Sequence, residues 1–556
     1  MELIKKAKEL QDLSKDQLMI SLCSGTGCKA AGSDYIYDIL KEEVKKVQPN
    51  IKKEIIIRRT GCHGFCEKGP LIIFYPQDIC YLGATEEDIP LVVSETLKGN
   101  LIEKLLYKTD ESKLVLKEFD IPFYKYQKRI ILANNSKIDS KSIGDYILFG
   151  GYRALSKALK EMNPEEVLNE VKESGLRGRG GGGFPTGLKW DITRKAKGDP
   201  KYMIVNGDEG DPGAYMDRSI LEGNPHSVLE GLIIGAYVVG ASKGFIYIRQ
   251  EYPLAIENMG IAITNAQKHG FIGNNILNSE FDFNVEIYQG AGAFVCGEET
   301  ALIRSIEGKR GMPRPRPPFP ANEGIYGKPT CINNVETYAN IPHIILNGSK
   351  WFNGIGTDSS KGTKVFALTG AVNNTGLVEV PMGISLRDII YKIGGGIKGN
   401  KKFKAIQLGG PSGGCIPEKY LDVEVDYEKV KEVGAMMGSG GMIVLDEDIC
   451  MVDMARFFMD FIQDESCGQC VPCKIGTRRM LEILERITRG KGEQDDINKL
   501  EKLAKVVKET SLCGLGKTAP NPVISTLRYF RNEYEEHILT KKSCERLHIK
   551  AKVKKV

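Results

Sequence analysis

Long apolar runs are what this 556-residue sequence most lacks. No stretch approaches the roughly 18 apolar residues that a membrane span needs. One of the longest candidates, Gly231–Val239, is short and is broken by Gly235. A strong charge imbalance is also missing: 77 lysines and arginines face 72 acidic residues, a net charge of +5. That argues against a general nucleic-acid binder, which concentrates basic residues on one face. The one dense basic cluster is the tail Lys550–Val556. Met1–Leu13 mixes charged with apolar residues and lacks the apolar middle of a secretory leader. These absences predict a cytoplasmic protein with no membrane span. There is no internal repeat, and no low-complexity tract beyond the tail.

Apolar content of 41% and charged content of 27% are ordinary for a globular protein. The length exceeds what a single core fills and predicts about three or four domains. Fourteen cysteines in a reducing compartment point to metal ligation wherever they cluster.

The pattern predicts an α/β multidomain chain. Residues 1–107 read as a small α/β unit: a strand at Gln17–Cys23, a helix over Gly32–Val47 with Tyr35, Ile36, Ile39 and Leu40 on one side, and strands at Ile55–Ile57 and Leu71–Tyr75. Residues 108–128 are charged and poorly patterned, and read as a linker. A helical stretch, Tyr152–Glu173, belongs to a doubly wound α/β domain over residues 129–350. Residues 351–445 read as a small β-rich domain. Residues 446–540 form four helices: Met451–Gln463, Gly476–Thr488, Gln494–Thr510 and Pro522–Glu536. Residues 541–556 are a basic tail.

Two cysteine clusters carry chemistry. Cys467, Cys470 and Cys473 stand as C-x2-C-x2-C, and Cys513 follows. Three thiolates so spaced can wrap three corners of a [4Fe–4S] cubane, with the distant fourth closing it. Zinc knuckles compete, but they come as two separated pairs. Cys23 and Cys28 pair with Cys62 and Cys66, each pair on a loop after a strand. That suits a [2Fe–2S] rhomb, and a four-cysteine zinc site is the alternative. Cys80 stands outside the pairs and reads as a packing residue.

Between the clusters lies a glycine loop containing Gly178, Arg179, Gly180, Gly181 and Phe184, with Lys189 close behind. Backbone amides in such a loop can close on a phosphate; a merely flexible loop is the bland reading. An acidic turn, Asn206, Asp208, Glu209 and Asp211, follows a strand. A second glycine segment runs through Phe294 and Gly297 to paired carboxylates, Glu298 and Glu299. Carboxylates beside a nucleotide bind ribose hydroxyls; solvated acidic turns are the alternative. Pro313–Pro320, with Arg314, Arg316 and Phe319, is stiff enough to hold a cation and a ring over a ligand, or to serve as a linker.

Taken together, from about Tyr152 to Tyr534, these motifs resemble the NADH-binding flavoprotein subunit of respiratory complex I and its relatives in soluble NAD-linked hydrogenases and formate dehydrogenases. The N-terminal extension resembles a thioredoxin-like [2Fe–2S] domain. The fusion of the two is similar to the beta subunit of multimeric, bifurcating-type [FeFe]-hydrogenases. The resemblance implies a Rossmann-like FMN and NADH domain, a β-grasp-like (ubiquitin-like) domain and a four-helix [4Fe–4S] bundle. It implies that Gly178, Gly180, Lys189, Asn206, Asp208, Glu209, Asn333 and Asn334 form the FMN pocket, and that Phe184 and Phe319 stack on the adenine of NADH. Glu298 and Glu299 would be the carboxylate pair at flavin and nucleotide, with Glu299 on the adenosine ribose, where it repels a 2′-phosphate. Arg179, Gly181, Asp211, Phe294, Gly297 and Arg316 complete the expected cofactor site. Arg316 replaces a lysine of complex I, Ile192 a common adenine-stacking aromatic, and Asp211 a glutamate; these departures bear on the choice between NAD and NADP.

The implied activity is an NADH:acceptor oxidoreductase subunit. Electrons would pass from NADH to FMN, to the Cys467–Cys513 cluster and then to a partner, or in reverse, with no side chain acting as acid or base on carbon. Expected partners are a small [2Fe–2S] subunit and a large catalytic subunit, hydrogenase or formate dehydrogenase, with ferredoxin a further candidate. Many bifurcating relatives continue into a ferredoxin-like domain. Here the sequence reaches Val556 with one leftover cysteine, Cys544. The competing readings are the same module in a formate dehydrogenase or complex I-like assembly, an electron-transfer adaptor without nicotinamide chemistry, and a zinc-stabilised scaffold.

Overall fold

A computed structural model describes residues 17–109 and 111–544; most of the basic tail and the first residues lie outside this range. In the N-terminal domain, β1 (Gln17–Cys23) pairs in parallel with β2 (Glu54–Thr60) and antiparallel with β3 (Leu71–Tyr75), which pairs with β4 (Ile79–Leu82). Its sheet order is β2-β1-β3-β4. The helix Ser33–Val47 buries Ile36, Leu40 and Val44, an i, i+4, i+8 stripe. Tyr35, expected on that side, is turned outward and is 68% exposed.

The expected linker is not a free connection. It forms a short hairpin, β5 (Tyr107–Lys108) and β6 (Leu114–Val115), and then buries Ile121, Phe123 and Tyr124. Phe123 stacks on Phe65 with centroids 4.3 Å apart. Glu118 is buried and accepts from the Ser136 hydroxyl, and the segment's few apolar residues join the N-terminal domain to the β-rich domain in one core.

The flavin-domain sheet has β7 (Tyr202–Gly207), β8 (Lys243–Arg249), β9 (Asn284–Gly290) and β10 (Thr330–Asn334), all parallel, in the order β10-β7-β8-β9. The chain leaves β7 to one side for β8 and returns to its other side at β10. The crevice at such a switch point, beyond the C-terminal ends of the strands, is where doubly wound sheets take ligands. Asn206 and Asn334 are register partners at that edge. The helix Pro225–Val239 is buried almost all round. A Cβ on its Gly231 would stand 2.0 Å from the Tyr338 carbonyl oxygen, so only glycine allows this close a helix contact. The helix expected over 152–173 is two, Arg153–Glu161 and Pro164–Glu173. Asn163 caps the second in a capping box with Glu166, and Pro164 stands in its first turn.

The third sheet contains β11 (Thr363–Gly370), β12 (Gly376–Pro381), β13 (Phe403–Leu408), β14 (Gly414–Pro417) and β15 (Gly441–Asp446), ordered β12-β11-β15-β13-β14. Only β11 and β15 are parallel. The C-terminal helices are Met451–Asp464, Val471–Thr488, Asp496–Thr510 and Asn521–Thr540, with a short helix at Gly514–Thr518. Val452, Met459, Leu484, Leu500 and Val523 fill their core. Among the described residues, no helix is long and apolar enough to cross a membrane.

Candidate functional site

A cavity of about 270 Å³ opens at the switch point. Gly180, Gly181 and Gly182 form one wall; Asn206, Asp208, Glu209 and Asp211 a second; Phe294, Gly297 and Glu298 a third; Asn334 and Asp217 the base. The glycine loop needs its composition here. A Cβ on Gly181, whose φ is +117°, would also lie 3.2 Å from Gly438 of the β-rich domain. The Asn206 amide donates to the Gly297 carbonyl at 3.0 Å, tying the acidic turn to the second glycine segment. The Glu298 carboxylate accepts from the Thr300 and Ala301 amides, both at 3.0 Å, and so caps the helix Glu299–Ile306.

Aspartates and glutamates line this space, and none of the residues lining it is a lysine or an arginine. Burial pushes Asp208 up to about 7, opposed by Arg249, whose guanidinium is 3.5 Å away. One Asp208 carboxyl oxygen has no protein partner. Burial pushes Asp211 up to about 6, although the Ser439 hydroxyl donates to it at 2.7 Å. Glu209 is raised by burial while accepting from the Asp217 and Arg218 amides at 3.1 Å. Asp217 is raised by burial and then by the Glu209 charge. Burial thus favours the neutral acids, which can donate to a ligand. An anionic group at this site would meet backbone amides of the glycine loop rather than side-chain cations.

Some expected residues do other work. The buried Arg179 guanidinium donates to the Thr363, Arg177 and Lys361 carbonyls, which joins the flavin domain to β11. Asn333 is buried and accepts from the Trp190 ring nitrogen at 3.0 Å. Lys189 donates to the Ile332 carbonyl at 3.0 Å, and its ammonium lies 6.0 Å from the Phe184 ring centre. The Gly178 carbonyl accepts from the Tyr427 hydroxyl. None of these four residues lines the cavity. Glu299 pairs with Arg316, whose guanidinium lies 5.8 Å from the Phe319 ring centre. Phe184 and Phe319 remain 45% and 52% exposed, as open faces would.

Gly409, Ser412, Met436, Gly438 and Ser439 of the β-rich domain also line the cavity, as do Gly514, Leu515 and Thr518 of the helical domain. Sequence reasoning missed all of them. The signal was there for the first group: Gly409–Gly414 and Gly438–Gly441 are glycine-dense, like the loop that begins at Gly178.

Beside the cavity, Cys467, Cys470, Cys473 and Cys513 line a small hollow with Val295, Pro313, Leu512 and Leu515. Cys470 and Cys513 are the residues preceding the first turns of the helices Val471–Thr488 and Gly514–Thr518, so two helix N-termini bring their free amides to the thiols. Burial pushes the Cys473 thiol up to about 11. An iron cluster, by supplying positive charge, is what would hold it as a thiolate. Four thiols around an apolar hollow fit a [4Fe–4S] group. Val295 and Leu515 line both the hollow and the cavity.

In the N-terminal domain, Cys23 ends β1, and Cys62 lies two residues beyond β2. Because these strands are parallel neighbours, their exit loops meet. The Cys62 and Cys66 sulfurs are 3.5 Å apart. A Cβ on Gly69 would stand 2.6 Å from the Cys28 sulfur. Hydrogen bonds from Cys23 and Cys66 hold the Cys62 thiol well below the usual range. Cys23 is pushed up by its hydrogen bonds to Cys28 and Cys62 and by burial. These four thiols fit a [2Fe–2S] group. Cys80 is fully buried, apart from them.

Residues 171–343 match the Nuo51 FMN-binding domain, 365–416 the SLBB domain, and 453–537 the NADH-ubiquinone oxidoreductase-F iron-sulfur binding region. The NADP-reducing hydrogenase subunit HndC of Solidesulfovibrio fructosivorans is 58% identical over 418 residues, 75% of this chain and 85% of that protein. An F-type subunit of the NADH-quinone oxidoreductase of Rhizobium meliloti (strain 1021) is 47% identical over 409 residues, 74% of this chain and 97% of its own. Among solved structures, an NAD+-reducing [NiFe]-hydrogenase in the H2-reduced state aligns with a TM-score of 0.66 at 27% identity, covering 96% of this chain and 90% of that one. The cavity at the switch point and the cysteine hollow draw most of their residues from the matched FMN and iron–sulfur regions, and the chain belongs to the family of F-type NADH-quinone oxidoreductase subunits and the hydrogenase protein HndC.

Proposed function

We propose that the chain is the NADH:acceptor oxidoreductase subunit of a hydrogenase-type complex. The carrying observation is the shared wall: Val295 and Leu515 border both the FMN cavity and the [4Fe–4S] hollow. FMN, when bound, supplies the exchange between a two-electron hydride and single electrons, which nicotinamide and iron–sulfur groups cannot make directly. The chain's own task is to hold these groups. The glycine loop and Asn334 would cradle FMN. Asp208, whose carboxyl burial raises to about 7, would donate to a flavin or ribityl oxygen in its protonated form. Phe184, Phe319, Glu299 and Arg316 would form the dinucleotide rim.

Residues 1–107 would form a thioredoxin-like domain holding [2Fe–2S] on Cys23, Cys28, Cys62 and Cys66. It meets the flavin domain at a defined contact: the Thr26 amide donates to Glu222 at 3.0 Å. We take 129–350 as the flavin domain, 351–445 as the β-rich domain and 446–540 as the cluster bundle. The catalytic partner is a hydrogenase on this reading, because the 58% identical relative is named as a hydrogenase subunit.

The test is an anaerobic titration of the FMN-replete protein with NADH and then NADPH, following flavin and cluster absorbance. Bleaching by NADH is expected. No bleaching with either nucleotide, in protein shown to hold FMN and iron, would overturn the dehydrogenase reading and leave an electron-transfer adaptor.

A further inference from the structure

The wall of the C-terminal cysteine hollow carries one hydroxyl, that of Ser466. Ser466 directly precedes Cys467, and its Oγ is 3.3 Å from the Cys473 sulfur. Cys473 is 6% exposed and is the buried member of its quartet, the other three being half-buried. Water therefore does least for the charge on this sulfur, and a fixed protein donor does most.

Local structure decides which atom donates. The Gly468 amide donates to the Ser466 Oγ at 3.4 Å. Gly468 has φ +76°, a turn that brings its amide back to Ser466. The backbone thus occupies a lone pair of the hydroxyl and leaves its proton free. With the quartet on iron, the Cys473 sulfur is a thiolate without a proton. The one hydrogen bond open to this pair then runs from the Ser466 O–H to the Cys473 Sγ. The same hydroxyl already opposes the rise that burial gives the Cys473 thiol. The nearby Thr477 hydroxyl is engaged elsewhere, donating to the Cys473 carbonyl at 2.7 Å. Cys513 receives the Leu515 and Gly516 amides, donors that come with the helix N-terminus. Ser466 differs in kind, because a side chain supplies the proton.

We propose that the Ser466 hydroxyl raises the reduction potential of the [4Fe–4S] group by donating to its Cys473 ligand. The inference rests on the assignment of that quartet to [4Fe–4S]. Reduction by one electron adds negative charge at the sulfurs, so a donor stabilises the reduced state more than the oxidised one. The proton stays on the Ser466 oxygen, and no bond breaks. The hollow shares Val295 and Leu515 with the flavin cavity, so a higher potential here favours the passage of electrons out of that cavity.

The test is a potentiometric titration of the intact, cluster-replete protein, following the [4Fe–4S] resonance against applied potential. S466A should keep its iron and FMN while its midpoint falls. At a fixed potential its ratio of reduced to oxidised cluster should drop about three- to tenfold. S466T, which keeps a hydroxyl, should return close to the wild type. A second measurement needs no variant: the iron–cysteine stretching bands of the wild type, by resonance Raman, should shift in D2O. An unchanged or higher midpoint in S466A would overturn the proposal, as would the absence of a D2O shift. A midpoint in S466T as low as that of S466A would overturn it too, by assigning the effect to loop shape. S466A that holds no cluster would make Ser466 an element of assembly and overturn its role in the potential. Wild-type protein without a [4Fe–4S] resonance would sink the cluster assignment itself, and this inference with it.

Discussion

The C-terminal quartet of cysteines stands at helix N-termini around an apolar hollow, whereas the N-terminal quartet stands on loops beyond two parallel strands. The first shares Val295 and Leu515 with the flavin cavity. The second meets the flavin domain both through Cys62 and Cys66, which pack into that domain's apolar core, and through polar contacts, Thr26 to Glu222 and the Asn135 amide to the Cys62 carbonyl. The difference teaches how the two sites depend on their surroundings. Helix termini place Cys470 and Cys513 through bundle packing, with glycine required beside them at Gly468 (φ +76°) and at Gly516 against Cys473. Strand-end loops must be shaped residue by residue, which is why Gly25 lies against Cys62 and Gly69 against Cys28.

The strongest way to break the comparison is to remove a ligand. Cys513→Ser should abolish the [4Fe–4S] signal and with it NADH-driven reduction of any acceptor beyond the flavin. The N-terminal cluster signal should survive, because the two quartets share no structural element. Electron paramagnetic resonance of the dithionite-reduced variant checks both statements. Loss of both signals would mean that the domains do not assemble independently.

Gly69→Ala should do the reverse at a smaller scale. The added methyl would press the Cys28 sulfur from 2.6 Å, and overpacking of this kind costs about 1–3 kcal/mol. The expected result is a depleted N-terminal cluster with FMN and [4Fe–4S] contents unchanged, read by iron analysis and resonance spectra. A normal [2Fe–2S] content would mean that the loop yields easily and is not shaped residue by residue.

The contrast also explains what the sequence revealed. Cysteine spacing named both quartets, because each needs particular residues at particular positions. The glycine loop and acidic turn were legible for the same reason, and Gly180, Gly181, Asn206, Asp208, Glu209, Asp211 and Asn334 do line the cavity. Direction was not legible. Asn333 and Asn334 are neighbours on one strand, whose side chains alternate, so one turns to Trp190 and the other to the cavity. Arg179 sits in a binding-type loop yet its guanidinium serves carbonyls at the domain interface, a direction that its place in the loop does not reveal. Contributions from distant domains, Gly438 and Leu515 among them, depend on how sheets and helices dock, and no local pattern encodes that.

Asp208 gives a subtler test of the cavity as a buried acidic site, in contrast with the apolar hollow. Its folded pKa, about 7, lies above the unfolded value of about 3.9. Between those values the folded state holds a proton that the unfolded state has released, so stability falls as pH rises through this window. The full effect is on the order of 4 kcal/mol at most. Asp208→Asn should flatten that slope in FMN-free protein and stabilise it at pH 8 relative to the wild type. Melting temperatures from pH 5 to 8 provide the measurement, and an unchanged slope would place the proton on Asp211 or Asp217 instead.

The smallest effect belongs to the exposed rim, where the dinucleotide rather than the cavity is at stake. Arg316 neutralises Glu299 in a partly exposed ion pair, and such pairs are worth about 0–1 kcal/mol. Glu299 alone would repel a 2′-phosphate, whereas the pair presents no net charge to it. Arg316→Ala should therefore raise KM for NADPH more than KM for NADH, by up to about fivefold in the ratio, with kcat for NADH unchanged. Loss of Arg316 also uncovers Phe319, so a modest rise in KM for both nucleotides is expected. A ratio that stayed constant would assign the 2′-position to residues other than this pair and leave Arg316 a support for the ring alone.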